Sequence, residues 1–238
     1  MVQIEPSIAF GDSLELSKQA AWLEFSTFSN CPELIAGVDE VGRGCLFGPV
    51  VAAAVILPKS ALSVLMAAEI KDSKKLSSSR RHKLAQQIRA LALDWRIGFA
   101  SVAEIDQINI LQATLLAMKR AVLKLKVQPT LCLIDGNQFI QDLALPQQTI
   151  VKGDERSLCI AAASILAKVW RDELVMRFAS KYPMYDLERN KGYGSKKHLL
   201  ALQKYGPSPL HRQSFRPCQI NIVNRDTKLA RESLGSKF

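Results

Sequence analysis

Apolar residues crowd two stretches, 34–39 and 48–57, and their near-continuous character reads as strands buried on both faces. A glycine-rich turn parts them, and Pro58 ends the second. The period then changes. Residues 77–92, SSSRRHKLAQQIRALA, offer a serine cap and a polar face rich in arginine and lysine, which predicts a helix. Residues 95–103, WRIGFASVA, are strand formers. Ile105, Ile108, Leu111, Leu115, Met118, Val122 and Leu125 recur at spacings of three and four, the strongest helical signal in the chain, and Pro129 closes it. Two short strands, 130–136 and 148–154, each run into a carboxylate, Asp135 and Asp154. A second long helix is predicted from about Ser157 to Ser180, with Ala161, Ile165, Leu166 and Val169 on one face. Beyond Pro183 come a loop of glycine and tyrosine, a short helix near 196–205 and a proline-rich basic tail. This order predicts an α/β fold with a mixed sheet, preceded by a weakly patterned extension over residues 1–30.

Composition narrows the setting. Hydrophobic residues are 48% and charged residues 23% of the 238, an ordinary globular balance. The longest apolar run, Val50 to Leu57, is far short of the ~20 residues a membrane span needs. Acidic Glu5, Asp12 and Glu15 stand where a signal peptide would carry its basic and apolar regions. Five scattered cysteines without a C-x-x-C pair fit a reducing cytoplasm and argue against a disulfide framework or a zinc site. The net charge of +10 is unevenly spread: residues 1–70 carry a net of −5, residues 71–180 +7, and residues 181–238 +8. That last segment interleaves its basic residues with Tyr182, Tyr185, Tyr193 and Tyr205, the composition of a nucleic-acid surface and equally of a solvated basic face.

The chemistry lies with the acids. Asp39 and Glu40 end the first strand, Asp135 ends a later one, and Asp154 follows the next. Neighbouring strands would crowd these groups at one sheet edge, where like charges raise one another's pKa and call for a cation. Oxygen-only ligands favour Mg²⁺ or Mn²⁺. Taken singly, each acid is as well explained as a turn former or helix cap; four in matching strand-end positions are not. No G-x-x-x-x-G-K-[ST] phosphate loop is present, and a strand rather than a helix follows the glycine-rich turn, which excludes a dinucleotide fingerprint as well. No G-x-S-x-G elbow is present. His82, His198 and His211 lack an i, i+4 partner and read as surface or hydrogen-bonding residues rather than metal ligands.

The segments AGVDEVGRG with GPVVAAAVIL, KDSKKLS (71–77), LIDGN (133–137), VKGDERSLCIAAASILAKVWRD (151–172), NKGYGSKKH (190–198) and GPSPLHRQSFRP (206–217) together resemble bacterial ribonuclease HII, the type 2 ribonuclease H family. The resemblance implies a ribonuclease H-like fold, a five-stranded mixed sheet flanked by helices with a helical C-terminal portion. It places the catalytic domain at residues 31–220, between the extension and a tail at 221–238. It implies hydrolysis of the RNA strand of RNA–DNA hybrids and cleavage 5′ of single ribonucleotides embedded in duplex DNA, with Mn²⁺ or Mg²⁺ as cofactor and 3′-hydroxyl and 5′-phosphate ends as products. Asp39, Glu40 and Asp135 match the family's metal-binding acids, and Asp154 its fourth catalytic acid. Gly42, Arg43 and Gly44 match the loop whose backbone reads the ribose 2′-hydroxyl, and Tyr193 the aromatic that stacks on the neighbouring sugar. Lys74 and Lys168, with Lys75, Arg171, Lys191 and Lys196, are candidates for phosphate contacts, plain surface charge being the alternative.

Cys45, Leu46 and Phe47 depart from the small or proline-containing residues that often follow that loop. Arg43 and the short N-terminus favour type 2 over type 3. A monomer in the cytoplasm, acting on RNA–DNA hybrid and ribonucleotide-containing duplex DNA and free of any membrane, is the expectation; sliding-clamp contact stays open. A ribonuclease H-fold resolvase or transposase and a non-catalytic hybrid-binding protein are the rival classes. Intact Gly42–Arg43–Gly44 with Tyr193 argues against the first, and retention of four acids against the second.

Overall fold

The computed structural model describes residues 34–70 and 76–219. Its strands are β1 (Ile35–Val41), β2 (Val50–Ile56), β3 (Asp94–Ala100), β4 (Leu131–Asp135) and β5 (Gln147–Ile150). Its helices are α1 (Lys59–Ala67), α2 (Ser78–Leu91), α3 (Val102–Leu123), α4 (Leu158–Ala179), α5 (Leu187–Asn190) and α6 (Lys196–Tyr205). The strands form one five-stranded sheet in the order β3-β2-β1-β4-β5. β1, β2 and β3 are antiparallel neighbours, whereas β4 joins β1, and β5 joins β4, in parallel. β3 and β4 run in the same direction on opposite sides of β1, which needs a crossover, and α3 supplies it.

Helices bury both faces. Val50, Ala52, Ala54 and Ile56 of β2 pack with Ala113, Ala117 and Met118 of α3. The alternate residues Ala53 and Val55 pack with α1, α2 and the alanine-rich start of α4. With no face left to solvent, β2 reads as an unbroken apolar run. The first turn of α4 rests on the β1 backbone itself: a Cβ at Gly37 would lie 2.1 Å from the carbonyl carbon of Cys159. This close approach sets α4 behind the acidic end of β1.

Several elements differ from the sequence reading. α1 was not anticipated; Pro58 ends β2 but also occupies the N-cap of α1, where a proline without an amide hydrogen costs no helical bond. The third strand stops at Ala100 because Ser101 caps α3 in a capping box with Glu104. Asn109 breaks α3 with φ 70°, so the apolar stripe changes phase and Leu111 turns outward. α3 ends at Leu123, well before Pro129. The fifth strand ends at Ile150, and Asp154 lies in a 3₁₀ turn, Gly153–Glu155. Residues 206–219, a basic tail by composition, instead cross a third core containing Phe47, Val175, Tyr185, Leu202 and Cys218, and bury His211 and Arg212 completely. Four free, buried cysteines are described. Among the described residues no helix is long and apolar enough to cross a membrane. The proposed terminal extensions, like Lys74 and Lys75, lie outside the described residues.

Candidate active site

The register of β1 on β4 pairs Val38 with Ile134, so Asp39 and Asp135 follow side by side at the strand ends. Ligand atoms from Asp39, Glu40 and Asp135 all lie within 4.8 Å of one another. Each carboxylate is held. Asp39 Oδ1 accepts from the Glu40 amide at 2.6 Å, and Ser164 on α4 hydrogen-bonds the same side chain. Asp135 Oδ1 accepts from the Gly153 amide at 2.7 Å. Glu40 Oε1 accepts from Arg43 Nη1 at 3.4 Å. Asp154 is buried in the turn that Gly153 ties to Asp135, but its carboxylate is not part of the close triad. The structure thus gathers three of the four expected acids and sets the fourth beside them.

Burial, then the charges of Glu40 and Asp135, hold the Asp39 carboxyl well above its usual 3.8. Burial raises Glu40 as well, opposed by the Arg43 guanidinium and reinforced by Asp135. Three close oxygen donors, one nearly buried and short of countercharge, suit a hard divalent cation. The folded metal-free chain holds these protons more tightly than the unfolded chain. The associated stability is therefore complete below about pH 3.8 and is lost as pH rises through the raised values. The gain in melting temperature on replacing EDTA with Mn²⁺ is expected to grow as pH rises above the ordinary carboxylate range, as proton release ceases to oppose binding. A gain independent of pH would contradict the assignment of these carboxylates to metal.

The loop after β1 is shaped from behind by two buried arginines. Gly42 has φ +92°, and a Cβ there would lie 2.3 Å from Arg171 Nε, so conformation and space both demand glycine. Arg212 donates to the carbonyls of Gly42 at 2.7 Å, Arg43 at 2.8 Å and Gly48 at 3.0 Å. Arg171 donates to those of Phe47 at 2.9 Å, Lys191 at 2.8 Å and Pro49 at 3.2 Å. With its carbonyls drawn inward, the loop exposes Arg43 and Gly44, and a Cβ at Gly44 would meet nothing within 4 Å. Cys45, Leu46 and Phe47 are buried: Cys45 bridges Tyr193, the Leu46 amide donates to Gly192 at 2.8 Å, and Phe47 bridges His211. Larger apolar residues stand there because the C-terminal segment covers them.

Tyr193 is 41% exposed, and the Lys168 ammonium lies 5.4 Å from its ring centroid. Burial of the phenol pushes its pKa up to about 12. Lys168 also pairs with Asp172 at 2.9 Å, which neutralises part of its charge. Arg171, a candidate for phosphate, is corrected: it is fully buried and spent on carbonyls. Lys191 Nζ turns back to the Glu188 carbonyl and the Met176 sulfur, while Lys196 is exposed at the start of α6. Sequence reasoning missed Arg212, Ser164 and the buried pairing of His198 with His211. The motif GPSPLHRQSFRP held the signal, but its charge and prolines suggested a solvated tail.

A five-stranded mixed sheet between helices, with three carboxylates converging where two parallel strands end, defines a metal-dependent nuclease of the ribonuclease H architecture. The family profile described as Ribonuclease HII matches residues 36–218. Ribonuclease HII of Nostoc sp. is 75% identical over 203 residues, covering 85% of this chain and 90% of the relative. The chain belongs to the ribonuclease HII family and is a metal-dependent ribonuclease H acting on RNA–DNA hybrids. Ribonuclease H2 from Pyrococcus horikoshii superposes with a TM-score of 0.68 at 24% identity, covering 82% of this chain and 99% of that one. Bst-RNase HIII, solved in complex with Mn²⁺, gives a TM-score of 0.66 at 17% identity, covering 91% and 74%. Both comparisons speak to the fold.

Proposed function

We propose that the chain hydrolyses the RNA strand of hybrids and also cleaves 5′ of single ribonucleotides embedded in duplex DNA, with Asp39, Glu40 and Asp135 as metal ligands and Asp154 as a further catalytic acid. The convergence of the three acids within 4.8 Å carries this reading. The ion is Mn²⁺ or Mg²⁺. The chemistry a divalent ion supplies there is stabilisation of the attacking and leaving oxygens during in-line displacement by water, giving 3′-hydroxyl and 5′-phosphate ends. The Glu40 amide and Ser164 hold Asp39 in one orientation, and the Gly153 amide does the same for Asp135. Pre-set ligand orientation removes reorganisation from the reaction step. The exposed edge of Gly42–Arg43–Gly44 approaches the ribose, and the Tyr193 ring packs on the adjoining deoxyribose. Exposed Lys196 and, beside Tyr193, Lys168 favour the phosphate backbone.

The test is a DNA duplex holding one ribonucleotide, compared with an RNA–DNA hybrid and an all-DNA duplex, with and without chelator. Cleavage of the first two alone, abolished by chelator, is expected. Cleavage of plain DNA would favour a resolvase-like nuclease, and binding without cleavage a hybrid-binding protein. Tyr193→Ala is expected to lower the specificity constant for the single ribonucleotide more than for the hybrid, where the neighbouring 2′-hydroxyl crowds the ring. A stacking loss of ~1–3 kcal/mol corresponds to roughly 5- to 150-fold. Equal loss on both substrates would assign Tyr193 to packing.

A further inference from the structure

His198 and His211 are fully buried, and their Nε2 atoms lie 2.9 Å apart. Their partners determine where each proton sits. His198 Nδ1 lies 2.9 Å from the Tyr193 carbonyl oxygen, which only accepts, so His198 carries its proton on Nδ1. Neutral His198 then offers Nε2 as an acceptor, and His211 must donate from its own Nε2. That leaves His211 Nδ1 to accept, and it meets the Ser208 amide at 2.9 Å with the Ser208 hydroxyl at 2.8 Å. Burial lowers both imidazole pKa values, His211 to about 4, so neither holds a second proton near neutrality. Every donor and acceptor in the chain from Ser208 to Tyr193 is matched in one direction only.

The next residue along the chain is Arg212, which holds the carbonyls of Gly42 and Arg43. Its amide donates to Leu46 at 3.0 Å, and Leu210 accepts from the Gly48 amide at 2.8 Å. Two adjacent residues of one buried segment therefore anchor the 42–44 loop and the Tyr193 backbone.

We propose that His211, acting through His198, is a positioning residue for Tyr193, and that with Arg212 it sets the spacing between the loop that meets the ribose and the ring that meets the next sugar. The inference rests on the reading that Tyr193 packs on a deoxyribose. Selectivity for an RNA–DNA junction is then a property of the Ser208–Arg212 segment, although His211 touches no substrate.

Two amide substitutions separate the functions of the His211 ring. His211→Gln keeps a donor where Nε2 stood, and His211→Asn keeps an acceptor where Nδ1 stood but drops the donor to His198. The measured quantity is the ratio of kcat/KM on a single embedded ribonucleotide to that on a hybrid. His211→Asn is expected to lower this ratio by no more than the roughly 5- to 150-fold that loss of the Tyr193 stack itself would cost, and His211→Gln to leave it near wild type. Added to Tyr193→Ala, His211→Asn should lower the ratio no further. Equal losses on both substrates, or an additive loss in the double variant, would overturn the proposal. A Tyr193→Ala variant with an unchanged ratio would remove the stacking reading and the proposal together. A lowered ratio in Tyr193→Ala with none in His211→Asn would remove the proposal alone. Imidazole ¹⁵N shifts of the unmodified protein test the same chain without a variant: His198 protonated on Nδ1 and His211 on Nε2 are expected, and the opposite tautomer at either ring would overturn it.

Discussion

Asp39→Asn and Asp135→Asn are each expected to lower hybrid cleavage by on the order of 10³-fold or more while the chain stays folded. Losing a carboxylate ligand removes several kcal/mol of charge stabilisation from the reacting phosphate, at ~1.4 kcal/mol per decade of rate. Asparagine keeps the shape and one acceptor oxygen, so the Glu40 amide at Asp39 and the Gly153 amide at Asp135 retain their partner. Metal-free, the Asp39→Asn variant should melt a few degrees higher, because it lacks a buried carboxylate whose charged form burial and two neighbouring acids disfavour. Single-turnover cleavage in saturating Mg²⁺ and melting curves in EDTA check the two halves. Near-normal turnover in either variant would sink the metal assignment; lost turnover with a collapsed fold would make the acid structural.

Arg212→Lys is expected to lower the melting temperature by roughly 10 °C and hybrid cleavage by up to ~10²-fold. An ammonium cannot reach the carbonyls of Gly42, Arg43 and Gly48 together, as the planar guanidinium does. Two lost charge-assisted bonds at ~1.5–3 kcal/mol each, with ~2–4 °C per kcal/mol for a domain of this size, give that scale. The rate follows from the loop's position, since a displacement of ~1 Å near the reacting group costs about 10²-fold. Burial lowers the Arg212 pKa only to about 10, so the guanidinium stays charged at neutral pH. A lysine variant with unchanged stability and cleavage would show that the loop holds its own shape.

The elements that the sequence determined are those whose causes lie within a few residues. β2 is apolar throughout because both faces are covered, and period alone reveals that. Ser77, Ser157 and Ser195 cap their helices through the amide three residues on, a contact set by local spacing. The position of Asp39, Glu40 and Asp135 at strand ends was legible for the same reason, as were the linked motifs of the family. Tertiary structure alone decided which acids meet: the parallel pairing of β1 with β4 draws Asp39 and Asp135 together and leaves Asp154 outside the triad. It also reversed the meaning of charge. Arg171 read as a phosphate contact or plain surface charge, and the segment holding Arg212 as a basic tail, because composition records a charge and not its surroundings. Arg212 is buried against the carbonyl of Gly42, 170 positions away in the chain. A buried charge needs satisfied hydrogen bonds, and those partners come from segments that no local period connects.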